Sequence, residues 1–194
     1  MRFCLVRHPV TRIVSEYAYR QKSFYRKTAC DVLLRELNPW VAKYVGRLVA
    51  AENGTKFGDG GAARRKARYA IDCHLLPQHE YVLREASSDG NAQDEDPSDP
   101  GCNVVLKFER LGAAFPDLLR RTGHGPWLDR IRAKAESDER LNATTALPHR
   151  KSRRGAASCG LEAALTRESL ALIHTAYARD FAAFGYTMEE DERR

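Results

Sequence analysis

The stretch FCLVRHPVTRIVSEYAY, residues 3–19, decides how the chain is read. Four apolar residues, Phe3 to Val6, run into Arg7; Pro9 follows, and Ser15 stands eight residues after the arginine. A short apolar run of this kind reads as a buried strand. Proline suits the first position of a helix, where its missing N–H would have no intrahelical partner. A helix is therefore expected from Pro9, with Ile13, Val14 and Tyr17 on one side. In open α/β sheets, ligands sit beyond the carboxyl ends of the strands. Arg7 stands at such an end. The helix after it offers unpaired N–H groups and the positive end of its dipole to the same crevice. Arg7 and Ser15 then form a phosphate clamp: the guanidinium grips two oxygens in a plane, and the hydroxyl donates a further bond. Taken alone, the two residues fit a surface ion pair and a helix flank equally well.

Outward from this stretch, helical spacing recurs in Val32, Leu33, Leu37, Val41, Tyr44, Val45 and Leu48, one or two helices with a break expected at Pro39. Residues 53–62 are glycine-rich and read as a loop. The acidic stretch 87–101, SSDGNAQDEDPSDPG, reads as a mobile surface insertion. Val104 to Phe108 is strand-like, and GAAFPDLLRRTG reads as a helix ending at Gly123. Residues 142–160 form a basic loop. Thr166 caps a last helix with Leu170, Ile173, Tyr177, Phe181 and Phe184 on one face and Gly185 at its end. Strands interleaved with helices point to an α/β domain with a mainly parallel sheet. One domain is expected over residues 1–188, with a frayed charged tail at 189–194.

The chain has 194 residues and a net charge of +6. Most of its basic charge is arginine, which favours an anionic partner: phosphate, sulfate, nucleic acid or an acidic polysaccharide. A solvated basic surface is the plainer reading of the same composition. No apolar run is long enough to span a membrane. The five cysteines, Cys4, Cys30, Cys73, Cys102 and Cys159, have no metal-binding spacing, and their odd number leaves at least one thiol unpaired. Cys4, inside the apolar run, reads as a small core residue.

VRHPVTRIVSEY resembles the 3′-phosphate-binding motif of sulfotransferases that use 3′-phosphoadenosine 5′-phosphosulfate. Arg7, Pro9, Arg12, Ser15 and Tyr17 match its Arg-x-Pro-x-x-Arg-x-x-Ser-x-Tyr pattern in register. HLLPQHEYV is similar to the His-x-x-Pro-Gln segment of the carbohydrate (Golgi-type) branch, and VVLKFERLGAAFPDLL to its strand–Glu-x-Leu–helix segment. At the C-terminus Tyr177, Asp180 and Phe181 match Tyr-x-x-Asp-Phe, and Phe184, Gly185 and Tyr186 match Phe-Gly-Tyr. The pieces occur in family order over most of the chain.

The resemblance implies a three-layer α/β sandwich of the P-loop NTPase-like sulfotransferase type. It implies transfer of a sulfuryl group from 3′-phosphoadenosine 5′-phosphosulfate to a carbohydrate hydroxyl, releasing adenosine 3′,5′-bisphosphate, without a metal. Arg7 and Ser15 would hold the 3′-phosphate, while Arg12 would be structural. Arg150, Lys151 and Ser152 lie where the family closes over the nucleotide; a solvated basic loop is the competing reading. Tyr177, Asp180 and Phe181 would dock the last helix. His74 is the candidate base, beside Asp72, because imidazole titrates in the right range; a structural histidine bonded to a carbonyl is the alternative. Gln78 would bind the acceptor sugar or order a turn.

The family's 5′-phosphosulfate loop would lie upstream of Arg7, and the chain as written begins at the second landmark. The expected fold is therefore an N-terminally truncated one, from a shortened gene model, a fragment or an inactive nucleotide- or polysaccharide-binding relative. A nucleic-acid-binding module stays open on charge alone, but no recognition helix, zinc spacing or aromatic–basic interleaving supports it. The sequence itself assigns no compartment: an N-terminal anchor on a longer form would place it in the Golgi lumen, and its lack in the cytoplasm.

Overall fold

A computed structural model describes residues 1–23, 25, 29–52, 73–83, 102–136, 141–142, 149–150 and 159–188. The acidic stretch 87–101, the glycine-rich loop 53–62 and the tail from 189 onward lie outside these residues. The chain divides into two compact units: residues 1–7 with 103–155, and residues 8–102 with 156–194.

The first unit is built on two parallel strands, β1 (Phe3–Val6) and β2 (Val104–Lys107), in the register Phe3 to Val104 through Val6 to Lys107. Arg2 and Asn103 fix that register just ahead of the strands. The Asn103 backbone N–H donates to the Arg2 carbonyl, and the Arg2 N–H donates to Asn103 Oδ1, both at 2.9 Å. A turn of 3₁₀ helix over Phe108–Arg110 leads into α4 (Leu111–Arg121), α3 being the short helix His79–Val82 of the second unit. Pro116 and Leu118 are buried on α4. Its end is closed where Gly123 takes a left-handed φ of 77°, a conformation that only glycine adopts without strain. There the Thr122 hydroxyl donates to the Leu118 carbonyl at 2.9 Å. Helix α5 (Gly125–Glu136) is anchored by the buried Leu128. Two short antiparallel strands, β3 (Leu141–Asn142) and β4 (His149–Arg150), complete the unit among the described residues.

Two expectations are corrected here. β1 forms where the apolar run predicts, but it is not a buried strand: Phe3 and Leu5 are exposed, and only Val6 is fully covered. Among the described residues β1 pairs with one strand, β2, so it is not flanked on both sides as in a wide parallel sheet. Cys4 is not a free core thiol either; Cys4 and Cys102 are both disulfide-bonded.

The second unit is helical. α1 (Pro9–Ser23) opens on Pro9 after His8, whose carbonyl accepts from the Arg12 N–H at 2.9 Å. Val10, Ile13, Val14, Tyr17 and Gln21 recur at three- and four-residue steps and are buried, the stripe that a 3.6-residue period produces. α2 (Cys30–Glu52) runs without interruption through Pro39, so the expected break does not occur. Pro39 lies on the exposed side, where water takes up the carbonyl its ring leaves without a donor. Leu33, Leu37, Val41, Val45 and Leu48 of α2 are buried against the C-terminal helices.

The last helix is two helices: α6 (Arg167–Ala176) and α7 (Ala178–Phe184), parted at Tyr177. Thr166 caps α6 as expected, its hydroxyl accepting from the Ser169 N–H at 3.3 Å. Gly185, with φ 59°, ends α7. Asn38 of α2 ties α6 down, donating to the Ala164 carbonyl at 2.9 Å and accepting from the Thr166 N–H at 3.0 Å. A disulfide joins Cys30, at the start of α2, to Cys159, ahead of α6. The described residues are thus mostly helical with a small parallel sheet, which is compatible with an α/β fold.

Candidate functional site

The site begins with the segment 73–83 of the second unit. It has too few residues to bury a face of its own: a 3₁₀ turn over Cys73–Leu75 and the four-residue helix α3 (His79–Val82). Leu75, Leu76, Gln78, His79 and Val82 are nevertheless buried, because two other elements take over their polar groups.

From α1, the Arg12 guanidinium donates to the Leu76 carbonyl at 2.9 Å and to the His74 carbonyl at 2.8 Å. These carbonyls belong to no regular helix, and the planar fork of arginine serves both. From α7, Asp180 closes the other side. Its carboxylate, fully buried, accepts from the backbone N–H groups of Gln78 at 2.7 Å and His79 at 2.8 Å. These are the first N–H groups of α3, which have no intrahelical acceptor. The same carboxylate meets His79 Nδ1 at 2.7 Å. The acceptor is an anion, so Nδ1 carries the proton. The Tyr177 hydroxyl donates to the Leu75 carbonyl.

His8 fills the remaining gap. It is buried, with ring centroids 5.3 Å from Phe181 and 5.0 Å from Tyr186, both edge-on. Three stretches far apart in sequence, 8–17, 74–82 and 177–186, therefore meet in one body. Two residues of this network carry no weight in a reading of the sequence: His8, which looks incidental there, and His79, which has no visible partner. The signal for His79 lies about a hundred residues away, in Asp180.

The sequence-derived candidates fall as follows. Ser15 is exposed on α1 in the second unit. Arg7 belongs to the first unit, at the end of β1, where its guanidinium lies 4.8 Å from the Phe108 ring centroid. That is cation–π range. His74 is held by its carbonyl while its imidazole stays in solvent, 62% exposed, with Nδ1 3.8 Å from Glu16 Oε1. Glu16 also takes the Arg20 guanidinium at 2.7 Å, one turn on. The sequence puts Asp72 beside His74; Asp72 lies outside the described residues, and Glu16 is the carboxylate found there. Gln78 is 2% exposed and turned inward, its side-chain amide 3.5 Å from Asp180 Oδ2. Arg150 lies in β4, its side chain outside the described set, as are Lys151 and Ser152 altogether.

The His74 imidazole is thus open to solvent, with the Glu16 carboxylate near it but beyond hydrogen-bond distance. Among the described residues no group of three His, Cys, Asp or Glu side chains is placed to hold a metal ion, and no helix is long and apolar enough to cross a membrane. No protein-family model, curated protein or solved structure matches the chain.

Proposed function

We propose that the chain is a sulfotransferase of the carbohydrate type, or the nucleotide-binding part of one. It would move a sulfuryl group from 3′-phosphoadenosine 5′-phosphosulfate to a sugar hydroxyl. One observation carries the reading. Arg12, Tyr177 and Asp180, each a matching residue of its own segment, all bond to the backbone of the third segment, HLLPQHEYV: Arg12 to the carbonyls of His74 and Leu76, Tyr177 to that of Leu75, and Asp180 to the N–H groups of Gln78 and His79. Unrelated coincidences in sequence would have no reason to share hydrogen bonds.

In this reading Arg7 and Ser15 hold the 3′-phosphate, with Arg150, Lys151 and Ser152 closing over the nucleotide. Arg12 has a different task. Both of its hydrogen bonds go to the segment that presents His74, so it sets that segment on α1. His74 takes the acceptor hydroxyl's proton as the oxygen attacks sulfur, and Glu16 steadies the imidazolium that results. In-line transfer also needs cations at the departing phosphate. Gln78 lies too deep to meet a sugar without movement, and the acceptor contact we assign it requires α3 to shift. The disulfides fit an oxidising compartment such as a secretory lumen.

Calorimetry with adenosine 3′,5′-bisphosphate on the chain, on Arg7→Ala and on Ser15→Ala tests the reading. A clamp of two or three charge-assisted hydrogen bonds is worth on the order of 1.5–3 kcal/mol each before ordering costs. Weak binding that either variant abolishes is the expected result. Binding that neither variant changes removes the reading.

A further inference from the structure

The ladder between β1 and β2 shows which backbone groups of β1 point outward. The Arg2 carbonyl accepts from the Val104 N–H at 3.2 Å, so the Arg2 peptide groups face β2. In a parallel ladder the residues of a strand turn their N–H and C=O alternately toward the partner and away from it. In the register Phe3 to Val104 through Val6 to Lys107, Cys4 and Val6 therefore face β2 with Arg2, and Phe3 and Leu5 face away. Among the described residues neither Phe3 nor Leu5 has a hydrogen bond on that outer side. Their side chains are 47% and 40% exposed, although the Phe3 ring leans on Phe115 at 5.5 Å between centroids. Edge strands are commonly blocked by a lysine, a proline or a bulge, and Phe3–Val6 carries none of these. Cationic residues stand instead at its two ends. Arg2, exposed, precedes the strand, and Arg7 follows it, with its guanidinium 4.8 Å from the Phe108 ring centroid.

We propose that the outer edge of β1 binds an extended peptide as an added antiparallel strand, the peptide carrying alternate apolar residues between acidic ends. Antiparallel pairing is the more stable ladder per residue, and it lets Phe3 and Leu5 each exchange both N–H···O bonds with the residue opposite. Residues directly opposite share a face, so the peptide side chains across from Phe3 and Leu5 are apolar. Across from Arg2 and Arg7 they are acidic, because opposite charges on paired strands attract and like charges repel. Charge also selects this partner over a second copy of the chain. A second copy would bring its own Arg2 and Arg7 to the same edge, on a molecule already at +6. Every residue named here lies in the first unit or at its strand ends, and the inference needs neither nucleotide nor sulfuryl transfer.

The test is heteronuclear NMR titration of the full chain, without nucleotide, with acetyl-Glu-Thr-Val-Thr-Val-Glu-amide. In the antiparallel register its glutamates stand against Arg7 and Arg2 and its valines against Leu5 and Phe3. The Phe3 and Leu5 amide signals are expected to shift on binding and to exchange with solvent more slowly. N-methylation of either valine removes a donor aimed at β1 and should weaken binding about tenfold. N-methylation of the second threonine, whose N–H faces away from β1, should leave affinity within about threefold. Arg2→Glu should weaken binding about threefold, the scale of an exposed ion pair; Arg2 is the charge changed because Arg7 also serves the proposed nucleotide clamp. Four results overturn the proposal. The Phe3 and Leu5 amides do not move at millimolar peptide. Methylation of valine and of threonine costs the same. The peptide with lysine in place of both glutamates binds as tightly. Or the chain dimerises with those two amides protected in the absence of peptide, which gives the edge to a second copy. Because no nucleotide is present, failure here leaves the bisphosphate result standing, and failure of bisphosphate binding leaves this one standing.

Discussion

Replacing Asp180 by alanine should be a costly change in the second unit. Its carboxylate is fully buried and accepts three bonds of 2.7–2.8 Å, from Gln78 N–H, His79 N–H and His79 Nδ1. Hydrogen bonds to a charged group contribute roughly 1.5–3 kcal/mol each, and the dehydration of the carboxylate offsets much of their sum. Removal does not recover that dehydration in full, because three donors are left in an apolar pocket. The net loss is therefore about 3–5 kcal/mol, the range for breaking a buried charged network. For a chain of this size each kcal/mol lowers the midpoint by about 2–4 °C, so a fall of about 6–20 °C is expected. Urea unfolding followed by far-UV circular dichroism measures it. His79→Leu should cost less, and the double variant less than the sum of the singles, since the two residues share a bond. A loss below about 1 kcal/mol for Asp180→Ala, or strict additivity with His79→Leu, would refute the account of what holds segment 73–83 in place.

Two further outcomes follow from the same reasoning. Burial, with the Glu36 carboxylate adding to it, pushes the Tyr17 hydroxyl from 10.0 up to about 12, while its O–H donates to the Leu33 carbonyl at 2.7 Å. The folded state thus holds this proton where the unfolded chain releases it: the contribution is complete below pH 10 and is lost as pH rises from 10 to 12. Tyr17→Phe should flatten that alkaline decline in melting temperature, and an unchanged slope would count against it. The Cys30–Cys159 disulfide spans 129 residues of sequence, and a loop of that length is worth up to about 4–5 kcal/mol in chain entropy. Replacing both cysteines by serine should remove roughly 2–4 kcal/mol in urea unfolding, and a loss under about 1 kcal/mol would show that the unfolded chain is already constrained there.

What could be read from the sequence was what repeats over short distances. Ile13, Val14 and Tyr17 announce a buried helix face by spacing alone, and Thr166 and Gly185 mark real ends. The errors came where a local signal had two outcomes. Pro39 removes one hydrogen bond from α2 wherever it sits, and on the exposed side the helix continues through that loss. The pause at Tyr177 has no signal of its own, since Tyr177 fits the apolar face of either one helix or two. The strand 3–6 was identified by its apolar residues, but whether an apolar strand is covered depends on how many others flank it. At the site, Asp180 and Arg12 were legible as structural residues from the motif they resemble. Their partners were not, because a carboxylate gives no sign of which backbone N–H groups, about a hundred residues away, it will satisfy. Five cysteines leave too many pairings for Cys30–Cys159 to stand out.

The division of the chain bears on how the molecule is made. Phe3 of β1 pairs with Val104 of β2, a partner synthesised about a hundred residues later. At roughly 5–20 residues per second of synthesis, β1 waits on the order of 5–20 s for its partner, with the backbone groups that pair with β2 open. All of residues 8–102 emerges in the interval, and with it most of the helical unit. That unit in turn waits for residues 156–194 before α6 and α7 can cover α2. Each unit is thus held open by the other's sequence. During translation the chain is a sticky, half-paired nascent polypeptide, and a chaperone that shields β1 should raise its yield more than one that acts after release.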